Sequence, residues 1–142
     1  MADILKDLYE IVERRKAERE EGSYTVYLLD SGLDKILKKL GEETTETIIA
    51  AKNLERYSNT VISAPGTNGM ASGAKKEEDA KTADDIETAR EALNGEVSDL
   101  IYHLVIMLHA LGVEPDEIET LLRARMQKTG NLKKTHSSDH NS

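Results

Sequence analysis

Apolar residues recur at three- and four-residue intervals along most of this chain, and no run of alternating polarity competes with them. Four such patterns stand out. Ile4, Leu5, Leu8, Ile11 and Val12 form the first, which stops at Glu20-Glu21-Gly22. Leu33, Ile36, Leu37, Leu40, Ile48, Ala51 and Leu54 form a longer second one. Ala89, Leu93, Val97, Leu100, Leu104, Leu108 and Leu111 form a third, ended by Gly112. Pro115 opens a fourth, with Ile118, Leu121, Leu122 and Met126 on one side. The expected fold is an all-α helical bundle built on two long helices.

Phe, Trp and Cys are absent, so the core must be aliphatic. Without cysteine there is no disulfide, no thiolate nucleophile and no cysteine-ligated metal site, which suits a reducing cytoplasm. The start, Met1-Ala2-Asp3-Ile4, lacks the basic and apolar regions of a secretory leader. The most apolar run, 101–113, is short and carries His103 and His109, so no membrane association is expected. A net charge of −8 argues against a nucleic-acid partner held by phosphate contacts. A small phosphorylated ligand remains compatible if a metal and a few lysines mask the repulsion.

Residues 57–85 hold Pro65, Gly66, Gly69 and Gly73 among polar residues and show almost no apolar period, which reads as a long mobile insertion loop. Residues 129–142 read as an unstructured tail. One domain over 1–128 is expected.

The long patterns carry two acidic clusters, Glu42-Glu43-Thr44-Thr45-Glu46 and Glu96-Val97-Ser98-Asp99. With about 100° of rotation per residue, Glu43 lies roughly 80° and Glu46 roughly 140° from the centre of the apolar stripe through Leu33, Leu40, Thr44 and Ala51. Glu96 and Asp99 lie at the same offsets, with the same sign, from the stripe through Ile86, Leu93, Val97 and Leu104. If the helices pack stripe to stripe, equal edges meet on one side only when the helices run antiparallel. Glu43, Glu46, Glu96 and Asp99 then converge on a groove at the rim of the contact, where Ala50 and Ala92 leave room for a ligand. Glu42 lies about 180° from the stripe centre and is the weakest member. Charged residues make up 32% of the chain, so one acidic pair means little; two pairs at matched offsets point to a shared cation.

Hard oxygen donors without cysteine favour Mg²⁺, with Mn²⁺ as the alternative. No histidine follows a glutamate by three positions, which argues against a di-iron bundle. The expected chemistry is metal-assisted attack of water on a phosphoanhydride. Lys39 sits one turn before Glu43, Lys35 and Lys38 lie further round, and Lys52 lies on the opposite flank; each could equally be a surface lysine in an i,i+4 pair. His103, one turn beyond Asp99, could hydrogen-bond substrate or serve the fold. Tyr102 points away from the stripe and reads as an interface residue. Tyr24 could stack on a base or staple the start of the second long helix.

Several runs together resemble a known family: Ser23-Tyr24-Thr25, Gly32-Leu33-Asp34-Lys35-Ile36-Leu37-Lys38-Lys39-Leu40-Gly41 leading into the first acidic cluster, Ile49-Ala50-Ala51-Lys52, and Asp99-Leu100-Ile101-Tyr102-His103-Leu104. They are similar to phosphoribosyl-ATP pyrophosphohydrolase of histidine biosynthesis, one of the MazG-like all-α nucleotide pyrophosphatases. The resemblance implies Mg²⁺-dependent hydrolysis of phosphoribosyl-ATP to phosphoribosyl-AMP and pyrophosphate. It implies metal ligation by Glu43, Glu46, Glu96 and Asp99, with Glu42 as a further ligand or water-orienting group beside Glu43. Lys35, Lys39, Lys52 and His103 become candidates for substrate contact. It also implies a homodimer or a dimer of dimers. The 57–85 insertion is longer than the family's usual connection, and no fused cyclohydrolase domain follows the last helix. Two rival readings stay open: a house-cleaning (d)NTP pyrophosphatase, and a non-catalytic helical dimerisation protein.

Overall fold

The computed structural model describes residues 2–58 and 76–128, and within them every regular element is a helix. They run α1 (Ala2–Glu18), α2 (Tyr24–Ser31), α3 (Leu33–Ser58), α4 (Lys76–Leu111) and α5 (Pro115–Met126). The all-α expectation holds.

Two differences from the sequence reading concern elements. The helix α2 was not expected. It has eight residues and only Thr25 and Leu28 are buried, so it never completes an apolar period. It starts because the Ser23 hydroxyl accepts from the Val26 N–H. It stops at Gly32, whose φ of 89° a side chain would resist. The second difference is the start of α4 at Lys76, so residues 76–85 belong to a helix and not to a loop. That segment is rich in Ala, Glu and Lys, good helix formers, but offers almost no apolar residue to register a period. Residues 59–75 of the expected loop and the 129–142 tail lie outside the described residues. The α4–α5 corner matches expectation: Gly112 turns with φ 66°, and Pro115 opens α5 inside a capping box made by Glu114 and Glu117.

The long helices run antiparallel. Ile36 shares a core cluster with Ile106, Glu43 approaches Glu96 and Asp99, and Tyr57 lines the same cavity as Asp85, so rising positions on α3 meet falling ones on α4. Val12 of α1, Leu28 of α2, Ile36, Val105 and Ile106 are fully buried together. Burial of each such side chain contributes about 1.5–3 kcal/mol. A polar pin crosses three helices beside this core. Arg15 donates to the Tyr102 hydroxyl at 2.6 Å and to the Thr25 hydroxyl at 3.3 Å, and those hydroxyls lie 2.6 Å apart. Tyr102 therefore joins helices of its own chain.

The packed faces also differ from expectation. The face of α3 turned to α4 carries Ile36, Glu43 and Ala50, all buried. The apolar stripes lie about 80° away from that face. Ile48 is 59% exposed, Leu37 43%, Leu104 37% and Val97 36%. The helices meet along their carboxylate-bearing edges, α1 packs against α4, and α2 packs mainly against α3. Nothing within the described chain covers the stripes. Since α3 and α4 run antiparallel and their offsets share a sign, both stripes fall on one side of the hairpin.

Candidate metal centre

Glu43 sits in the middle of the α3–α4 contact because it falls one heptad from both Ile36 and Ala50. It is 7% exposed. A carboxylate taken that far out of water needs a compensating charge or hydrogen bonds. The opposing residues are two more acids. Glu43, Glu96 and Asp99 each bring a carboxylate oxygen within 4.8 Å of the other two. Glu46 lines the same cavity edge as Glu96, outside this triplet. All four expected ligands are thus neighbours, three of them tightly.

Partial burial, and then the charges of Glu46, Glu43 and Asp99, push the Glu96 carboxyl above its ordinary value of 4.5. Oxygen donors alone, gathered from two helices around one point, fit a hard divalent cation.

The direction of that shift fixes a stability prediction. With its pKa raised in the fold, Glu96 favours the folded metal-free protein while protonated. That contribution is present below 4.5 and is lost as pH rises through the raised value. Metal-free protein melted in EDTA should lose stability across that window, and Glu96→Gln should flatten this part of the profile. Equal slopes for the two proteins would refute the assignment.

His103 is 4% exposed and both ring nitrogens are engaged. Nδ1 lies 2.7 Å from the Asp99 carbonyl oxygen, which makes it the proton-bearing donor. Nε2 then accepts from the Tyr24 hydroxyl at 3.0 Å. Glu43 Oε1 is 3.9 Å from Nδ1. The ring packs edge-on against Tyr24, 5.8 Å between centroids. In this arrangement His103 ties α2 to the turn of α4 that carries Asp99, and offers no open nitrogen to a ligand.

The lysines separate into two groups. Lys39 donates to Glu42 at 2.8 Å and lies 3.8 Å from Glu43 Oε1, so it stands beside the triplet at the α2 end. Lys35 lies near it on the same helix, its Nζ 6.0 Å from the Tyr27 ring centroid. Lys52 pairs with Glu55 and lines a different surface with Arg90 and Leu93, away from the carboxylates. Glu42 does not join the triplet. Lys39 and, at 3.8 Å, Lys38 hold it, and the hydrogen bond from Lys39 keeps its carboxyl below the usual range.

On the other side of the triplet a cavity of about 400 Å³ follows the seam, floored by Ala50, Ala89 and Ala92 and walled by Asn53 and Tyr57. Asn53 and Tyr57 escaped the sequence reading. The available signal was their spacing on α3: they follow Glu46 at seven and eleven positions, on the same edge.

The chain is similar to proteins of one family. The family described as phosphoribosyl-ATP pyrophosphohydrolase matches residues 5–126. A phosphoribosyl-ATP pyrophosphatase of Streptococcus sanguinis is 39% identical over 137 residues, covering 96% of this chain and 99% of the relative. One from Streptococcus thermophilus is 40% identical over 129 residues, 91% of each chain. One from Pelotomaculum thermopropionicum is 38% identical over 126 residues, 89% of this chain and 94% of the relative.

Proposed function

Because the chain belongs to the phosphoribosyl-ATP pyrophosphohydrolase family, we propose that it hydrolyses phosphoribosyl-ATP to phosphoribosyl-AMP and pyrophosphate, as the second step of histidine biosynthesis in the cytoplasm. The observation that carries this reading is the convergence of Glu43, Glu96 and Asp99 from two antiparallel helices.

Glu43, Glu96 and Asp99 would hold Mg²⁺, or Mn²⁺ in its place, with Glu46 at the open side. Bound there, the ion supplies charge neutralisation for the phosphoanhydride and lowers the pKa of water. The chain does the positioning. Buried Glu43 cannot swing away, since α4 packs over it. His103 holds the Asp99 turn through its carbonyl. Glu46, nearest solvent, orients the attacking water. Lys39, with Lys35 behind it, takes the departing pyrophosphate, exchanging its bond to Glu42 for one to phosphate. Water adds to the α-phosphorus, the bond from that phosphorus to the α–β bridging oxygen breaks, pyrophosphate leaves with that oxygen, and the water's proton passes to solvent.

The assembly belongs to this reading. Ile48, Leu37, Val97 and Leu104 make an apolar face on the hairpin that water would not leave uncovered at working concentration. A second copy presents the same face and can cover it about a two-fold axis, giving a homodimer or, by repetition, a dimer of dimers.

Pyrophosphate release from phosphoribosyl-ATP and from a panel of dNTPs, with and without Mg²⁺, tests the function. The expected kcat/KM for phosphoribosyl-ATP exceeds that for any dNTP by at least about 100-fold. A preference for dNTPs would make the protein a house-cleaning pyrophosphatase. No Mg²⁺-dependent release from either class would leave the helical dimerisation reading.

A further inference from the structure

The metal centre divides the α3–α4 seam into two unlike halves. Towards α2 stand Lys39, Lys35 and the Tyr24 hydroxyl. Towards the other end the cavity holds Asn53, Tyr57, Thr88 and Asp85 over an alanine floor, and among the described residues neither Lys nor Arg lines it. It shares Glu46 and Glu96 with the metal centre, so the two are continuous.

We propose that this cavity is the nucleoside subsite, which fixes the direction of the substrate: adenosine over Ala50 and Ala92, pyrophosphate towards Lys39. The inference rests on the hydrolytic function proposed above and adds to it the orientation of the substrate.

Charge decides the direction. A polyphosphate placed in the cavity would face Asp85, Glu46 and Glu96, with no cation among the described lining residues to offset them. A purine and its ribose carry no negative charge there. They bring aromatic area, which Tyr57 can stack on, and donors and acceptors, which the Asn53 amide and Thr88 hydroxyl can meet. The volume of about 400 Å³ lies within the range of small-molecule sites. Small side chains on the floor are what keep it open: Ala50 and Ala89 are buried in the helix contact, and any larger residue at Ala92 would fill it.

The same direction places the substrate's second ribose phosphate past Tyr57. Arg56, outside the cavity lining, holds its guanidinium 5.9 Å from the Tyr57 ring centroid. A phosphate there meets an arginine, the residue best shaped to hold one.

Product inhibition separates the two halves. With the wild-type protein, phosphoribosyl-AMP and inorganic pyrophosphate each inhibit hydrolysis of phosphoribosyl-ATP. Tyr57→Ala and Ala92→Leu should each weaken inhibition by phosphoribosyl-AMP about tenfold and raise KM alike, with kcat and pyrophosphate inhibition within about twofold. Lys39→Ala should do the reverse, weakening pyrophosphate inhibition and sparing phosphoribosyl-AMP. Arg56→Ala should weaken phosphoribosyl-AMP more than AMP. Mn²⁺ titration of each variant keeps folding and metal binding in view, and Tyr57→Phe should restore stacking if Tyr57→Ala loses it. If the wild type cleaves phosphoribosyl-ATP but the Tyr57 and Ala92 variants shift nothing, or shift both inhibitors alike, the orientation is overturned and the function stands. If the wild type does not cleave phosphoribosyl-ATP, both fall.

Discussion

Replacing Glu96 with Gln and Asp99 with Asn together is expected to lower kcat/KM for phosphoribosyl-ATP on the order of 10³-fold, about 4 kcal/mol of transition-state stabilisation. The reason lies in the donor count. Three oxygens lie within 4.8 Å of one another, and α4 supplies two of them. Amides of the same shape keep the helix surface but remove both charges opposite Glu43. The fold should survive. The amides remove the repulsion that raises the Glu96 pKa, so the metal-free variant should melt no lower than the metal-free wild type. Calorimetric Mn²⁺ titration, circular dichroism and pyrophosphate release measure the three parts. Activity within tenfold of wild type, or Mn²⁺ binding of unchanged strength, would place the metal elsewhere.

Charging the exposed stripe is the second large effect. Ile48→Asp with Val97→Asp should turn the wild-type assembly into a monomer at micromolar concentration, read by sedimentation velocity. Ile48 and Val97 are 59% and 36% exposed in the single chain, so neither change touches its interior. Burying each apolar side chain between copies contributes about 1.5–3 kcal/mol, so losing two shifts the dissociation constant by roughly 10³-fold or more. Burying an aspartate in their place adds to the penalty. The sinking result is a wild type that sediments as a monomer, or a variant with unchanged mass.

The meeting of the two acidic clusters is legible in the residue pattern: they lie at matched angular offsets, and Glu43, Glu96 and Asp99 do meet. The antiparallel orientation follows from that pattern only for stripe-to-stripe contact, and the helices meet along their acidic edges instead. The packing face is not legible in the same way. Apolar content marks surface that a helix must cover, not which neighbour covers it. The edge with Ile36, Glu43 and Ala50 packs inside the chain because small Ala50 and the short reach across the seam allow close approach. The richer Leu37 and Ile48 stripe does not. Eight-residue α2 is invisible for a different reason: two buried residues cannot set a period. Its Tyr24 stands out in the sequence, but its bond to His103 spans 79 positions, and no local pattern encodes that. The polar first turns of α4 are hidden by the reverse problem, good helix formers with nothing apolar to align.

Glu43, Glu96 and Asp99 gather within one polypeptide, and the cavity beside them is walled by that same chain. The three proposed metal ligands therefore come from a single copy. Co-expressing wild type with the Glu96→Gln, Asp99→Asn form would dilute activity in simple proportion to the dead fraction, so a cell carrying one faulty allele would keep the output of every sound copy.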